Sequence, residues 1–213
     1  MTRKLGLVLA LLITAVAVYT TFPRKADLHS FDPDGMARLE TAMWRDYYEK
    51  HYPKLFYHLY ESSRREFGFS PLTSLGIALS AAQAAMAFQP TRSRLEADRA
   101  LPYLVTYYGL LRSAAPASFD VEEIARRELD WWQARREAIG PREYGLTIAA
   151  VAALTYGKAA DNPNILQFGI GRAEAMAYRD ARGEGITEKD WTTIERQLKA
   201  AYQRLKAGVA SQP

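Results

Sequence analysis

The sequence predicts an all-α protein, an irregular helical bundle of about six to seven helices after an N-terminal membrane-anchor helix. Three observations support this class. Helix-capping signals recur along the chain, no hairpin signal lies between alternating strands, and an uncharged apolar run stands near the N-terminus. With 213 residues, 48% of them hydrophobic, the chain is long enough for one core of ordinary size.

The N-terminal segment contains an uncharged run of eighteen residues, 5–22. As a helix this run would measure roughly 27 Å, which is close to the thickness of the hydrocarbon core of a bilayer. We predict a signal-anchor over residues 1–25, in contact with the membrane through 5–22. Arg3 and Lys4 favour a cytoplasmic N-terminus and an extracytoplasmic domain. The alternative is a signal peptide that is cleaved near Ala17 and leaves a secreted domain.

The rest of the chain divides into a linker over residues 26–32, one helical domain over 33–207 and a disordered tail over 208–213. Prolines after cap residues, capping-box spacings and terminal glycines delimit the helices of the domain. The predicted helices cover residues 33–67 with a kink near Pro53, Pro71–Phe88, 94–113 with a bend at Pro102, 121–138, 141–157, 165–182 with Asn164 as its cap, and 188–206.

The helix Pro71–Phe88 is rich in alanine, glycine and serine. Gly76, Ser80 and Ala84 recur every four residues, a spacing that lets neighbouring backbones approach closely. A second membrane span is the alternative for this helix. The serine, threonine and glutamine residues within it lower its hydrophobicity, so we favour tight packing in a bundle.

Charge and cysteine content exclude several classes of function. The formal net charge is +4, and without Arg3 and Lys4 it falls to +2, from 26 basic and 24 acidic residues. Such a nearly balanced domain has no overall field that would attract a polyanion, so we expect no nucleic-acid partner. The chain has no cysteine, which excludes disulfides, thiolate nucleophiles and cysteine-based zinc sites.

Charged residues on the apolar faces of predicted helices are the most informative feature of the domain. Glu40, for example, shares a helical stripe with Met36 and Met43. Two further helices place carboxylates and guanidinium groups among apolar residues in the same way. The groups predicted to point toward the core are Glu40, Glu128, Glu174, Arg135, Arg172 and Arg179.

Two explanations account for these groups, because a buried carboxylate is costly unless it is paired or coordinated. In the first, the three glutamates pair with the three arginines in a structural salt-bridge network. In the second, Glu40, Glu128 and Glu174 bind a divalent metal such as iron or manganese, with His51 or His58 as nitrogen donors. The paired Glu-x-x-His motif of helical di-iron bundles is absent, and the arginines would neutralise the same carboxylates.

No motif commits the chain to a reaction, since phosphate-binding loops and serine nucleophile elbows are absent from the sequence. Thirteen tyrosines and four tryptophans instead favour either an aromatic core or an amphipathic groove for a lipid or a partner helix. We therefore expect a non-catalytic, membrane-tethered binding or assembly module with a protein or lipid partner. The alternative is a carboxylate-bridged metalloprotein or oxidoreductase.

Overall fold

The structure is a computed structural model, which describes residues 2–21 and 26–210. Residues 1 and 22–25 of the predicted signal-anchor segment and residues 211–213 of the predicted tail lie outside the described residues. The α-helices are α1 (Thr2–Thr21), α2 (Pro33–Tyr48), α3 (Tyr52–Glu66), α4 (Pro71–Phe88), α5 (Arg94–Ala97), α6 (Leu101–Ala114), α7 (Val121–Arg136), α8 (Pro141–Tyr156), α9 (Pro163–Arg182) and α10 (Glu188–Ala210). The described residues contain no strand, which confirms the all-α class.

The helix starts follow the caps that the sequence signals. At the start of α7, Asp120 accepts a hydrogen bond from the backbone N–H of Glu123 (2.8 Å). At the start of α10, the carboxylate of Asp190 accepts from the N–H of Thr187 (2.9 Å) while the Thr187 hydroxyl accepts from the N–H of Asp190 (3.3 Å). This reciprocal pair satisfies two backbone donors that the first helical turn leaves free.

The predicted helix over residues 33–67 is two helices, α2 and α3. The chain turns at Lys50, whose φ of 61° ends the helical path. Pro53 then stands in the first turn of α3, where its missing N–H costs no hydrogen bond. The proline therefore starts a new helix instead of kinking an existing one.

Several helix ends also differ from the prediction. Asn162, not Asn164, caps α9, because the Asn162 side chain accepts from the backbone N–H groups of Asn164 (3.0 Å) and Ile165 (3.2 Å). The bend predicted at Pro102 is the junction where a 3₁₀ turn, Asp98–Ala100, leads into α6. Helix α10 continues to Ala210, past the predicted start of the tail, and buries two residues of that segment.

Eight of these helices form a ring. In chain order α2, α3, α4, α6, α7, α8, α9 and α10 each pack against the next, and α10 returns to α2. Since short loops join consecutive helices, neighbours run antiparallel. The C-termini of α2, α4, α7 and α9 therefore lie at one end of the ring, which we call the distal end. Helix α1 joins the opposite, proximal end, where the Tyr19 hydroxyl lies 3.3 Å from Nη2 of Arg64.

Two clusters of buried side chains form the core. One is built mainly by α2, α8, α9 and α10, and the other mainly by α4, α6 and α7. The segment predicted as a linker also packs into the core, since Ala26, Leu28 and Phe31 are all buried. This packing fixes the start of α2 to the proximal end of the ring.

Two helices contain long apolar stretches. Among the described residues, Pro71–Phe88 is the helix that is long and apolar enough to span a bilayer, with a mean hydropathy of 1.3 and 28% of its length buried. The described part of α1 offers a shorter apolar stretch, Val8–Thr20. Large side chains of α1 such as Leu5 and Leu9 are exposed.

Candidate functional site

Glu40 is the centre of a buried ion pair. Its carboxylate, 3% exposed, accepts a hydrogen bond from Nε of Arg172 (2.6 Å) and another from the hydroxyl of Tyr202 (2.6 Å). Burial alone would lower the pKa of Arg172, but the charge of Glu40 outweighs burial and raises it. The guanidinium also lies 4.4 Å from the ring centroid of Trp131. The helices α2, α9 and α10 meet through this pair.

Among the described residues, no arginine forms an ion pair with Glu128. Its carboxylate accepts hydrogen bonds from Nε1 of Trp132 (2.8 Å) and from the hydroxyl of Tyr108 (3.0 Å). Burial raises the pKa of Glu128 to about 7, and these two hydrogen bonds and the charge of Arg172 only partly oppose that effect. Near neutral pH, Glu128 is therefore present in both its protonated and its ionised form.

The remaining arginines of the predicted set meet at Asp180. Arg135 forms an ion pair with Asp180, and Nη1 of Arg179 lies 3.7 Å from the same carboxylate. The guanidinium of Arg179 also stacks over Tyr48, 3.1 Å from the ring centroid. Asp180 was missed in the sequence because it lies near the end of α9, on no apolar stripe, and its role depends on a second helix.

Glu174 does not belong to the buried set, because its side chain is exposed. It follows Arg172 by two residues, which places it about 200° further round α9 at 3.6 residues per turn. Arg172 therefore points into the ring while Glu174 faces solvent. The prediction that Glu174 points toward the core is wrong.

His51 and His58 both lie beside Asp46. Nδ1 of His58 is 2.8 Å from a carboxylate oxygen of Asp46, and Nδ1 of His51 is 3.7 Å from the other oxygen. No group of three or more histidine, aspartate or glutamate side chains is arranged to hold a metal ion in the described part of the chain. The candidate metal ligands are thus dispersed, and Arg172 and Tyr202 already bond to both oxygens of Glu40.

A groove at the distal end joins most of these groups. Its volume is about 530 Å³. We call it the arginine–aromatic groove, and its lining residues are Trp44, Tyr47, Tyr48, Phe88, Trp131, Trp132, Arg135, Arg136, Tyr144, Arg172 and Met176. Seven of these residues are aromatic, three are arginines, and no acidic residue is among them.

The arginines of the groove are unequally neutralised. Arg172 and Arg135 each have a carboxylate partner, whereas Arg136 forms no ion pair with the described residues. Nη2 of Arg136 donates to the carbonyl of Phe88 (3.0 Å) and to the hydroxyl of Thr91 (2.9 Å), so it offsets the partial negative charge at the C-terminus of α4. Nη1 of Arg136 and of Arg172 has no acceptor among the described residues.

No family model, curated protein or solved structure matches the chain.

Proposed function

We propose that this protein is a membrane-tethered binding domain whose arginine–aromatic groove holds a ligand with an apolar body and one acidic group, such as a fatty acid. The observation that carries this proposal is the lining of the groove, which combines seven aromatic residues with three arginines and none of the described acidic residues. The aromatic residues of the lining would contact the apolar body, and the arginines would contact the acidic group.

The aromatic half suits an apolar body. Ligand pockets of about 300–1,000 Å³ are typical of small-molecule sites, and the groove lies in this range with about 530 Å³. Tyr47 is 45% exposed although it is a large aromatic residue, so a bound alkyl chain would remove apolar surface from water. The hydrophobic effect would then supply most of the affinity.

The arginine half suits an acidic group. Arg135, Arg136, Arg172 and Arg179 lie in or beside the groove, and their carboxylate partners are Glu40 and Asp180. Four guanidinium groups therefore share two carboxylates, and Arg136, next to Trp132 on α7, is the one that forms no ion pair with the described residues. Arg136 is exposed, so an anion could reach its Nη1 and form a charge-assisted hydrogen bond beside the aromatic lining.

The membrane tether is α1. Its support is the uncharged run 5–22 and the exposure of its large side chains, among them Leu9 (61%) and Leu12 (58%). Isolated exposed leucines are common on soluble proteins, but a helix that is apolar on all its faces is stable only when lipid or protein surrounds it. A tether beside a lipid source also suits a fatty-acid ligand.

Tryptophan fluorescence tests the ligand directly. Trp44, Trp131 and Trp132 line the groove, while Trp191, the fourth tryptophan, is buried in the core. The full chain in nanodiscs of neutral lipid is titrated with octanoate, octanol or octylamine. We expect a saturable spectral change with octanoate, and a weaker response to the alcohol and to the amine.

Two substitutions test where the acidic group of the ligand binds. Arg136→Gln should weaken octanoate binding about tenfold, since the loss of one such interaction corresponds to about 1.4 kcal/mol. Arg126→Gln is the matched control, because Arg126 is exposed on the same helix and does not line the groove. Equal affinity for octanoate and octanol, or an equal effect of both substitutions, would refute an acidic ligand at this site.

A further inference from the structure

Helix α4 exposes an apolar stripe on the outside of the ring. Leu72, Leu75, Leu79 and Met86 are 50%, 39%, 45% and 64% exposed. They recur at spacings of three, four and seven residues, which places them on one helical face. No charged residue occurs within Pro71–Phe88. An exposed apolar face of this length on a soluble domain marks a surface that contacts something else.

The helices on either side of α4 also expose aromatic residues. Tyr52 and Tyr57 of α3 are 52% and 53% exposed, and Tyr103 of α6 is 37% exposed. Both helices pack directly against α4 in the ring. Tyrosine is the residue that favours the boundary between lipid and water, because its ring is apolar and its hydroxyl is polar. We call this surface the α3–α4–α6 wall.

Charge is unevenly distributed between the wall and the rest of the domain. The wall helices α3, α4 and α6 contain 4 basic and 2 acidic residues, a net charge of +2. Residues 26–51 and 115–213 together contain 17 basic and 20 acidic residues, a net charge of −3. The apolar, tyrosine-bordered wall is therefore also the positive part of the domain, and a surface with negative charge would complement it.

We infer that the α3–α4–α6 wall lies on the surface of a bilayer that contains anionic lipids, with the α4 stripe inserted between the headgroups. This inference rests on the membrane association in the proposed function, and it does not depend on the ligand of the groove. Continuity supports it, since α1 contacts α4. The apolar stripe, the tyrosines and the positive charge are together the features of helices that lie in a membrane interface.

A second copy of the chain is a poorer partner for the wall than a bilayer surface. A stable protein–protein interface buries roughly 800 Å² on each partner. The stripe consists of four side chains that are each about half exposed, which supply less apolar surface than this. Two walls of equal positive charge would also repel each other. Lipid requires no such self-complementarity.

The absence of cysteine allows a direct test with single labels on the full chain. Single cysteines replace Leu79 and Met86 in the stripe, Leu9 in α1, and Ala177, which is exposed on α9 across the ring from α4. Each variant carries an environment-sensitive fluorophore and is placed in nanodiscs that contain an anionic lipid and a doxyl-labelled quencher lipid. Iodide in the buffer measures access from water.

We expect labels at 79 and 86 to lose at least about half of their fluorescence to the lipid quencher, since interfacial helices insert ~5–10 Å into the headgroup region. The Ala177 label should respond to iodide alone. Removing the anionic lipid or adding salt should reduce lipid quenching at 79 and 86, because screening weakens the attraction of the basic residues.

The label in α1 separates the failure of this inference from the failure of the tether. Lipid quenching at Leu9 with none at 79 and 86 would overturn the inference and leave the tether intact. Quenching at 79 and 86 with none at Leu9 would support the inference and remove the tether. Shielding of 79 and 86 from both quenchers would show that protein covers the stripe, which also overturns the inference.

Discussion

The two sides of the helix ring are built in different ways. On the side of α8, α9 and α10, backbones approach closely, and a Cβ on Gly169 would lie 2.7 Å from the backbone nitrogen of Ala149. On the opposite side, α3 buries only Ser63 and Glu66, both polar, and α4 leaves a row of large apolar side chains exposed. One side is closely packed, whereas the other leaves apolar surface exposed.

In our proposal, the two sides of the ring have different roles. The packed side holds Arg172 against Glu40 and so fixes one wall of the arginine–aromatic groove. The open side has less internal packing, and its exposed apolar stripe is the surface that we propose contacts a membrane. Stability should therefore be sensitive to substitutions on the packed side and insensitive to substitutions on the outer face of α4.

The largest loss of stability is expected for Glu40→Ala. The substitution leaves the guanidinium of Arg172 buried and without its carboxylate partner, which costs about 3–5 kcal/mol. The free energy of unfolding can be measured for the full chain in liposomes by urea titration, with tryptophan fluorescence as the readout.

The matched control for Glu40→Ala is Glu174→Ala. Because Glu174 is exposed, its removal should change the free energy of unfolding by no more than about 0.5 kcal/mol. Equal effects of the two substitutions would mean that Glu40 and Arg172 do not hold the packed side together.

The next effect is a pH dependence that comes from Glu128. Burial raises its pKa from 4.5 to about 7, so the folded state holds this proton more tightly than the unfolded state. The stabilising contribution is complete below pH 4.5 and is lost as the pH rises through about 7. The loss amounts to at most about 3 kcal/mol, since one unit of pKa difference corresponds to ~1.4 kcal/mol.

Glu128→Gln isolates this contribution. Glutamine keeps a polar side chain beside Trp132 and Tyr108 but cannot ionise, so the stability of the variant relative to the original chain should increase between pH 5 and pH 8. Urea titrations of both proteins at several pH values give this difference directly. A constant difference across that range would show that Glu128 does not titrate near neutral pH.

Substitution of two glycines by alanine compares the two sides of the ring. Gly169→Ala forces a methyl group against the backbone of α8 and should cost about 2–3 kcal/mol, because backbone cannot move aside as a side chain can. Gly109→Ala in α6 meets no atom within 4 Å. It should stabilise the protein by about 0.5–1 kcal/mol through its higher helix propensity.

Thermal unfolding in liposomes can rank the two glycine variants against the original chain. Gly169→Ala should unfold at a lower temperature and Gly109→Ala at a higher one. Similar shifts for both would contradict the close packing of α8 against α9.

Helix periodicity and capping predicted most of the fold. The start of α7 was predictable because the bond from Glu123 to Asp120 lies within four residues. The break between α2 and α3 was not, because a proline after a helical stretch is compatible with either a kink or a new helix. The closed ring depends on the packing of α10 against α2, a contact between distant parts of the chain that no local pattern contains.

The candidate site was predictable only in part. The apolar stripe that contains Glu40 indicated correctly that this residue points inward. Which arginine it meets, and that Glu128 instead bonds to Trp132 and Tyr108, depend on the rotation of separate helices about their axes. The sequence of one helix shows which residues share its apolar face. Which two side chains form a bond between helices depends on the relative placement of both helices.

The smallest change in stability is expected for Leu79→Gln. Leu79 is 45% exposed on α4, so the polar side chain should alter the free energy of unfolding by no more than about 0.5 kcal/mol. Leu198→Gln in α10 is the matched control, because Leu198 is fully buried and an uncompensated amide in the core should cost about 3 kcal/mol or more. Both values come from urea titrations in liposomes.

Leu79→Gln should nevertheless reduce lipid quenching of a label at residue 86, because it removes an apolar side chain from the stripe that we propose faces the membrane. A surface residue that matters for membrane contact but not for folding would have this combination of effects. If Leu79→Gln destabilises the chain as strongly as Leu198→Gln, protein must cover the outer face of α4, and the two sides of the ring would then be built alike.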